Sequence, residues 1–233
     1  MNQAELIHWQ KQFKAFVTEQ MQQDPAHDIA HIQRVVTSGI ALANKENADI
    51  NIVLPACWLH DCVNVPKTSN LRAKGSILSA DRAIEYLTEI KYPAHYFDAI
   101  HHAIAAHSYS ANIETKTLEA KVVQDADRLD ALGAVGMSRC LMLGATWESQ
   151  LYHFEDPFGS NRPLDDKKYC IDHFFVKLQG LVDTMKTPAG SIEAQTRWQF
   201  MALYLKQLGH ETGIDYQAKN KLKTGSSSFT LNR

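Results

Sequence analysis

The sequence lacks any run of 18 consecutive apolar residues, and its first stretch, "MNQAELIHWQKQFKAF", is polar and amphipathic. A membrane-spanning helix needs about 20 apolar residues, and a secretory signal needs an apolar core of roughly 7 to 15. We therefore expect neither, and we expect a cytoplasmic protein with no membrane partner. Cysteine is also scarce. The four cysteines form no C-x-x-C pair, which favours buried, reduced thiols over a disulfide framework.

Blocks of basic residues are absent as well. The formal net charge of −2 is spread along the chain, whereas a nucleic-acid polymer or an anionic membrane surface is recognised by clustered positive charge. The charge distribution is therefore compatible with a small soluble substrate. The sequence also contains no G-x-S-x-G and no P-loop pattern, so it lacks the usual signatures of a serine nucleophile and of a P-loop phosphate site.

Strand signals are weak, because no alternating apolar run is bounded by Asn-Gly or Asp-Gly. Apolar residues instead recur at three- and four-residue spacings, which is typical of amphipathic helices. This pattern predicts an all-α fold, with Pro55 tolerable only near the first turn of its helix. The predicted helical segments are 3–22, 29–44, 52–62, 75–90, 94–107, 116–144, 165–186 and 191–209. Residues 152–164 are predicted to form a loop.

The stretch "ACWLHDCVNV" places His60 and Asp61 inside an otherwise apolar helix. Buried charge needs a partner. One interpretation is structural, with Asp61 capping a helix or pairing with an arginine while His60 bonds a backbone carbonyl. The second His-Asp pair, His27-Asp28, enters a helix from a loop, where an aspartate is an ordinary first-turn residue. The dipeptide alone therefore carries little information.

Two further residues favour a metal site over the structural interpretation. His31 begins the amphipathic stretch "HIQRVV", and Asp127 lies in the carboxylate-rich "VVQDADRLDALGAVG". Helical bundles build metal sites from side chains on facing helices. Two imidazoles and two carboxylates suit a borderline or hard divalent ion.

Four phrases of the sequence together resemble the HD-domain superfamily of metal-dependent phosphohydrolases. They are "HDIAHIQRV", "WLHDCVNVPK", "RAKGSILSA" and "DADRLDALGAVG", and they are similar to phrases of one bacterial branch of that superfamily. The resemblance spans roughly residues 24–210. It implies a single compact helical bundle over 1–215, with a motif core at about 24–145 and C-terminal helices at about 165–209. Residues 216–233 are expected to form a flexible tail.

The resemblance also implies a metal site. It makes His31, His60, Asp61 and Asp127 the ligands of one divalent ion, with Mn²⁺, Ni²⁺, Mg²⁺, Fe²⁺, Co²⁺ and Zn²⁺ all compatible. Three aspartates compete in "DADRLDA", and the resemblance selects the one followed by Arg and Leu. The other two, Asp125 and Asp130, are expected to cap helices or to support ligands. His27 is likewise expected to support a ligand rather than to bind the ion.

Histidines in "AIHHAIAAHSYS" raise the question of a second ion. Some members of the superfamily bind two metals through additional histidines in this part of the chain. The pattern is only partly met here. We expect His102 and His107 to lie beside the pocket, with His107 contacting substrate or water, and the dinuclear centre stays as the alternative.

Basic residues near the motifs are candidates for binding phosphate. Lys67, Arg72 and Lys74 follow the HD pair in a segment rich in Gly, Ser and Asn, whose backbone can approach phosphate oxygens. The alternative is a solvated loop. Arg34 and Arg128 adjoin two of the ligands, and an arginine beside a carboxylate is as often structural as catalytic.

The resemblance implies hydrolysis of nucleotides or related small phosphate esters, with pyrophosphate release from nucleoside triphosphates as one form. Asp61 would bind the ion and accept a proton from the attacking water, and Lys67 would offset charge on the phosphoryl group. Two alternatives are a noncatalytic metal or nucleotide sensor and a di-iron oxygenase. The sequence leaves a homodimer open.

Overall fold

The computed structural model describes residues 2–21, 29–63, 65, 69, 71, 74–108 and 111–217. Over these residues the fold is all-α, as predicted, and its only β-type pairing is an isolated bridge between Gln150 and Tyr169. The helices are α1 (Gln3–Met21), α2 (Ile29–Glu46), α3 (Ile50–Leu59), α4 (Gly75–Glu89), α5 (Phe97–Ala105), α6 (Leu118–Leu129), α7 (Gly133–Thr146), α8 (Gln179–Val182) and α9 (Pro188–Thr212). Across the described ranges no helix is both long enough and apolar enough to cross a membrane.

Helix α3 lies at the centre of the bundle. Every residue from Val53 to Leu59 is buried, and the helix packs against α1, α2, α5 and α6. A helix that is apolar on all sides is stable only when other helices surround it. The residues that follow its last turn therefore emerge inside the bundle, where the HD pair is found.

Proline stands in the interior of α3 rather than near its first turn, because the helix begins at Ile50, two residues earlier than predicted. Pro55 has no N–H to donate to the carbonyl four residues back, which is that of Asn51. The hydroxyl of Tyr92 donates to this carbonyl instead, at 2.7 Å. A side chain from outside the helix thus replaces the hydrogen bond that proline removes.

The end of α3 also differs from the prediction. The helix ends at Leu59 and not at Cys62, with His60 at the C-terminal cap and Asp61 in the turn that follows. The Cys62 amide closes this turn by donating to the Leu59 carbonyl. His60 and Asp61 therefore lie at the end of α3 and in the turn that follows it, not within a continuous helix.

The predicted helix 116–144 is two helices. α6 begins at the cap residue Thr117, whose hydroxyl accepts a hydrogen bond from the Ala120 amide. The chain then breaks between Leu129 and Gly133, where Gly133 adopts a φ of 73°, a conformation that glycine adopts without strain. The break turns α7 away from α6, so that α7 packs against α9.

A buried aspartate ties α6 to the start of α9. The carboxylate of Asp125 accepts hydrogen bonds from the amides of Lys186 and Thr187 and from the Thr187 hydroxyl, at 2.7 to 2.8 Å. Gly190 lies so close that a Cβ at this position would approach Asp125 Oδ2 to 2.4 Å. Asp125 thus holds Thr187, the N-cap residue of α9, in place.

Residues 147–173 form an irregular excursion between α7 and α8. The predicted loop at 152–164 belongs to it, but the helix predicted from 165 starts only near Phe174. The reason is Asp172, which is fully buried and accepts two hydrogen bonds from Arg162 and one from the Asp165 amide. These bonds hold the chain in a compact loop.

Two residues of the predicted tail, 216 and 217, lie within the described part of the chain. Tyr216 is half-buried, and its ring packs against those of Phe158 and Phe175. Residues 218–233, the remainder of the predicted tail, lie outside the described residues.

Candidate metal centre

Three histidine side chains meet at the end of α3. His31 comes from the first turn of α2, His60 from the end of α3 and His107 from the segment after α5. The ring centroid of His60 lies 5.5 Å from that of His31 and 4.8 Å from that of His107. The fold thus gathers residues that are far apart in the sequence around one point.

Each of these rings is held through its Nδ1 atom. His60 Nδ1 donates to the Cys57 carbonyl at 2.9 Å, and His107 Nδ1 donates to the Ile104 carbonyl at 2.6 Å. His31 Nδ1 bonds a carboxylate oxygen of Asp130 at 2.7 Å. Because Nδ1 is engaged in all three rings, each imidazole turns Nε2 toward the common centre, which is how metal-binding histidines are normally oriented.

Two carboxylates complete the cluster. Asp127 Oδ1 lies 3.5 Å from His31 Nε2 and 3.7 Å from His60 Nε2. Asp61 Oδ2 lies 3.6 Å from His60 Nε2, and Asp61 Oδ1 lies 3.5 Å from His107 Nε2. Donor atoms about 2.1 to 2.3 Å from one ion in a tetrahedral arrangement lie about 3.4 to 3.8 Å from one another. These separations therefore fit atoms that share an ion.

The donors form two overlapping groups. One consists of His31, His60 and Asp127, the other of His60, Asp61 and His107, and within each group the ligand atoms lie within 4.8 Å of one another. His60 belongs to both. Its side chain is fully buried, and its Nε2 atom has no hydrogen-bond partner. A buried, unpartnered imidazole nitrogen facing two carboxylates is the environment that a divalent cation satisfies.

The electrostatics agree with this interpretation. Burial lowers the pKa of His60, which favours the neutral imidazole that a metal requires. Burial alone would raise the pKa of Asp61, but the neighbouring His60 and His107 outweigh it and hold the pKa of that carboxyl well below its usual range. Burial opposes a charged His107, yet the Asp61 carboxylate raises the pKa of His107 to about 9. In the absence of an ion a proton on His107 therefore offsets the Asp61 carboxylate, and a metal bound by both side chains would displace that proton.

The open side of the cluster lies at the carboxylates. The side chains of Asp61 and Asp127 retain 32% and 27% exposure, whereas His60 has none. A ligand arriving from solvent therefore meets Asp61 and Asp127 first.

Asp130 supports the centre from behind. It accepts hydrogen bonds from Arg34 and Arg139 as well as from His31. Burial would raise the pKa of Asp130, but the hydrogen bonds from His31 and Arg34 overcome this and depress it. Arg34, a candidate for substrate binding or ligand support, is thus placed against Asp130. Arg139 was not singled out from the sequence, because nothing in its local context connects α7 to α2.

The remaining candidates are distributed differently. Arg128 donates to the Thr184 carbonyl at 2.8 Å. His102 Nε2 accepts a hydrogen bond from the Lys116 amide and stands apart from the cluster. Lys74 is exposed at the cap of α4. His27, Lys67 and Arg72 lie outside the described residues.

A cavity of about 840 Å³ is lined by two residues that follow candidate ligands in the sequence, while none of the five donors lines it. Ser108, which follows His107, and Arg128, which follows Asp127, both line it, together with Lys121, Gln124 and Lys186. Its volume falls in the range of small-molecule sites. Gln124 is buried, and its Nε2 donates to the Ala106 carbonyl at the end of α5, which links the cavity wall to the segment carrying His107.

Comparison with known proteins decides the family. The HD domain sequence profile matches residues 28–132, a range that contains all five donors of the cluster. The protein YpgQ of Bacillus subtilis is 32% identical over 194 residues, covering 81% of this chain and 86% of YpgQ. The chain belongs to the HD domain family. This membership confirms the resemblance drawn from the four sequence phrases.

Solved structures of HD domain proteins share the fold. The crystal structure of B. subtilis YpgQ in complex with ADP is 30% identical, with a TM-score of 0.66 over 88% of this chain and 96% of that one. An HD-superfamily hydrolase from Bacillus thuringiensis is 27% identical, with a TM-score of 0.70 over 89% of this chain and 98% of that one. These HD domain relatives support a hydrolase in general.

Proposed function

We propose that this protein is a divalent-metal-dependent phosphohydrolase that acts on nucleotides. The observation that carries the proposal is the fully buried His60 Nε2, which lacks a hydrogen-bond partner and faces Asp61 and Asp127. The ADP bound to the relative YpgQ supports a nucleotide as the ligand class.

His31, His60, Asp61 and Asp127 would hold the ion, and His107 would face the same centre through Asp61. A bound divalent ion lowers the pKa of its water and polarises a phosphoryl oxygen. The ion's identity follows from neither the donors nor their spacing, because nitrogen and carboxylate ligands suit Mn²⁺, Fe²⁺, Co²⁺, Ni²⁺ and Zn²⁺, and the carboxylates also suit Mg²⁺.

The protein's own side chains would prepare the attack on phosphorus. Asp61 stands on the open side, between His60 and His107, and would take the proton of the attacking water. Asp130 would keep His31 in one tautomer. No serine or cysteine nucleophile is needed in this scheme.

The cavity lined by Ser108 and Arg128 would receive the part of the nucleotide remote from the reacting phosphate. Lys121 and Lys186 line it and would offset phosphate charge. Lys67, which the resemblance assigns to phosphate binding, would act from the segment that follows the HD pair.

A substrate screen tests the proposal. Purified protein is incubated with nucleoside mono-, di- and triphosphates and with Mn²⁺, Mg²⁺, Co²⁺ or Ni²⁺, and phosphate is measured with and without added pyrophosphatase. We expect turnover with at least one metal and none in EDTA. Phosphate that depends on pyrophosphatase would identify pyrophosphate as the product of a triphosphate.

The same screen separates the alternatives. ADP that binds with no turnover of any nucleotide would overturn the proposal in favour of a sensor. Two bound irons with oxygen consumption would overturn it in favour of an oxygenase. Metal analysis after dialysis should give one ion per chain. If metal analysis gave two ions in the natural protein and one in His107→Ala, the centre would be dinuclear and not a single-ion site.

A further inference from the structure

Asp130 is in contact with more positive charge than one carboxylate neutralises. The guanidinium of Arg34 spans both of its oxygens, with Nε donating to Oδ1 at 2.6 Å and Nη2 donating to Oδ2 at 3.1 Å. A two-point arginine contact of this kind pairs a carboxylate fully and fixes its geometry. His31 adds a further hydrogen bond to Oδ2. Arg139 is therefore a second cation on a carboxylate that is already paired.

Most of the hydrogen-bonding capacity of Arg139 is left over. Its guanidinium donates to Asp130 through Nη1, whereas an arginine side chain carries five N–H donors. Among the described residues, this guanidinium has no other hydrogen-bond or ion-pair partner. The Arg139 side chain is 43% exposed, while that of Asp130 is 5% exposed. The remaining donors are thus accessible to a molecule that arrives from solvent.

Arg139 lies close to the candidate metal ligands. Asp130 Oδ2 accepts hydrogen bonds from both Arg139 Nη1 and His31 Nδ1. The Nε2 atom of the same His31 ring lies 3.5 Å from Asp127 Oδ1. Asp127 and Asp130 are three positions apart at the end of α6, and residues with this spacing lie on one face of a helix. The Arg139 guanidinium therefore lies on the same side of α6 as the partly exposed Asp127 carboxylate.

A bound ion would leave this side of the molecule with a net positive charge. The carboxylates of Asp61 and Asp127 would balance a divalent ion, and histidine ligands are neutral when they bind a metal. Arg34 is balanced by Asp130, so the charge of Arg139 remains. Phosphate esters are anions, and the guanidinium fork matches the geometry of phosphate oxygens. The unbalanced arginine therefore suits an anionic substrate.

We propose that Arg139 binds the phosphate chain of the substrate, at a phosphate group other than the one bonded to the ion. This inference rests on the proposed function. One carboxylate oxygen and the width of an imidazole ring separate the Arg139 guanidinium from His31 Nε2. This separation suits the next phosphate along the chain better than the group at the ion. Arg139 would thus favour nucleoside di- and triphosphates over monophosphates.

Arg139→Gln tests the assignment in the nucleotide screen, because glutamine keeps a polar side chain and removes the charge. Losing a charged hydrogen bond to phosphate should raise the KM of nucleoside triphosphates by at least about tenfold. We expect kcat, and the KM of any monophosphate that is hydrolysed, to change by less than about threefold, since neither depends on the distal phosphate. Arg139→Lys keeps the charge without the fork, so its KM for triphosphates should lie between those of the natural protein and Arg139→Gln.

Binding without turnover gives a second measurement. The methylene analogue of ADP has a P–C–P bridge that resists hydrolysis, and calorimetry with Mn²⁺ present gives its dissociation constant. We expect this constant to rise at least about tenfold in Arg139→Gln, and that of AMP to change by less than about threefold. If the natural protein bound the analogue but hydrolysed no nucleotide, the proposed function would fail. The comparison of the two proteins would still test Arg139.

A purely structural role for Arg139 would give a different pattern. Losing the support of Asp130 would weaken Mn²⁺ binding, but Arg34 still bonds both Asp130 oxygens in Arg139→Gln. We therefore expect the Mn²⁺ affinity of that variant to stay unchanged. Arg82→Gln is the matched control, because it removes an arginine of α4 that pairs with Glu85 and Glu89. It should leave KM and both dissociation constants unchanged.

Four results would overturn the proposal. The first is that the natural protein does not bind the methylene analogue. The second is that Arg139→Gln binds the analogue as tightly as the natural protein does. The third is an equal loss of affinity for AMP and the analogue, which would remove the preference for a longer phosphate chain. The fourth is a tenfold loss of Mn²⁺ affinity in Arg139→Gln, which would limit Arg139 to the support of Asp130.

Discussion

Asp130 accepts a 2.7 Å hydrogen bond from His31 Nδ1 across 99 positions of sequence. This bond joins the end of α6 to the first turn of α2 and turns His31 Nε2 toward Asp127. The orientation of the ring is thus set before any ion binds. Coordination therefore costs less side-chain entropy than it would for a freely rotating imidazole.

Replacing Asp130 by Asn tests this support. The asparagine amide keeps the shape of the side chain but lacks the negative charge of the carboxylate, which accepts hydrogen bonds from His31 and Arg34. We expect Mn²⁺ affinity to fall by about 10- to 100-fold, as is usual when a residue supporting a metal ligand is lost. Calorimetric titration with Mn²⁺ measures the change.

A matched control exists elsewhere in the chain. Asp166 bonds His173 Nδ1 at 2.8 Å, outside the cluster. Asp166→Asn should leave Mn²⁺ affinity unchanged. Equal affinities of Asp130→Asn and the natural protein would show that Asp130 acts on stability alone.

Replacing Asp61 by Asn should lower the turnover of the best substrate by at least roughly 10²-fold, because the amide cannot accept the proton of the attacking water. Steady-state rates at saturating metal measure this. Asp98→Asn, at an exposed position of α5, is the control. Near-normal turnover of Asp61→Asn with metal still bound would contradict the assigned role.

Lys67→Ala tests the phosphate clamp inferred from the sequence. A lysine that contacts substrate phosphate should contribute about 1.5 to 3 kcal/mol, equivalent to about ten- to a hundredfold in kcat/KM. Metal affinity should stay nearly constant, since lysine is no ligand of the ion. Lys206→Ala, at an exposed position of α9, serves as the control. An unchanged kcat/KM would show that Lys67 does not contact the substrate phosphate. Arg72 and Lys74 would then be substituted in the same assay.

Tyr92→Phe tests the compensation for proline within α3. Loss of the hydroxyl leaves the Asn51 carbonyl without its donor, and we expect the free energy of unfolding to fall by about 1 to 2 kcal/mol. Urea denaturation measures it. In a Pro55→Ala background the restored N–H can bond Asn51, so the same substitution should cost less. Equal costs in both backgrounds would show that the two residues are uncoupled.

The sequence predicted most of the helices because their apolar spacing is regular, and the four phrases predicted the family. The assignment of His31, His60, Asp61 and Asp127 to one ion stays a prediction, and the structure places Asp61 with His60 and His107, in a different group from His31 and Asp127. The errors have local causes. α3 ends at Leu59 because the chain turns at the HD pair, and the predicted helix 116–144 breaks at a glycine with positive φ.

Other features depend on contacts that no local pattern encodes. Arg139 reaches Asp130 from α7, and Tyr92 completes α3 from 41 positions away. His107 was expected to lie beside the pocket and contact substrate or water, with a dinuclear centre as the alternative, and its Nε2 lies 3.5 Å from Asp61 Oδ1. The phrase "IAAH" was the available signal, but only the fold shows which way the ring points.

The hydrogen bonds between Asp125 and the start of α9 bear on which part of the chain folds as one unit. The family match stops at residue 132, yet the donors to Asp125 are Lys186 and Thr187. A fragment that ends at residue 132 would lack these donors. The buried Asp125 carboxylate, two residues from Asp127, would then have lost its hydrogen-bond partners. The folding unit therefore extends beyond the range of the family match, as does the similarity to YpgQ over 81% of this chain, and the part that carries the candidate metal ligands depends on the start of α9.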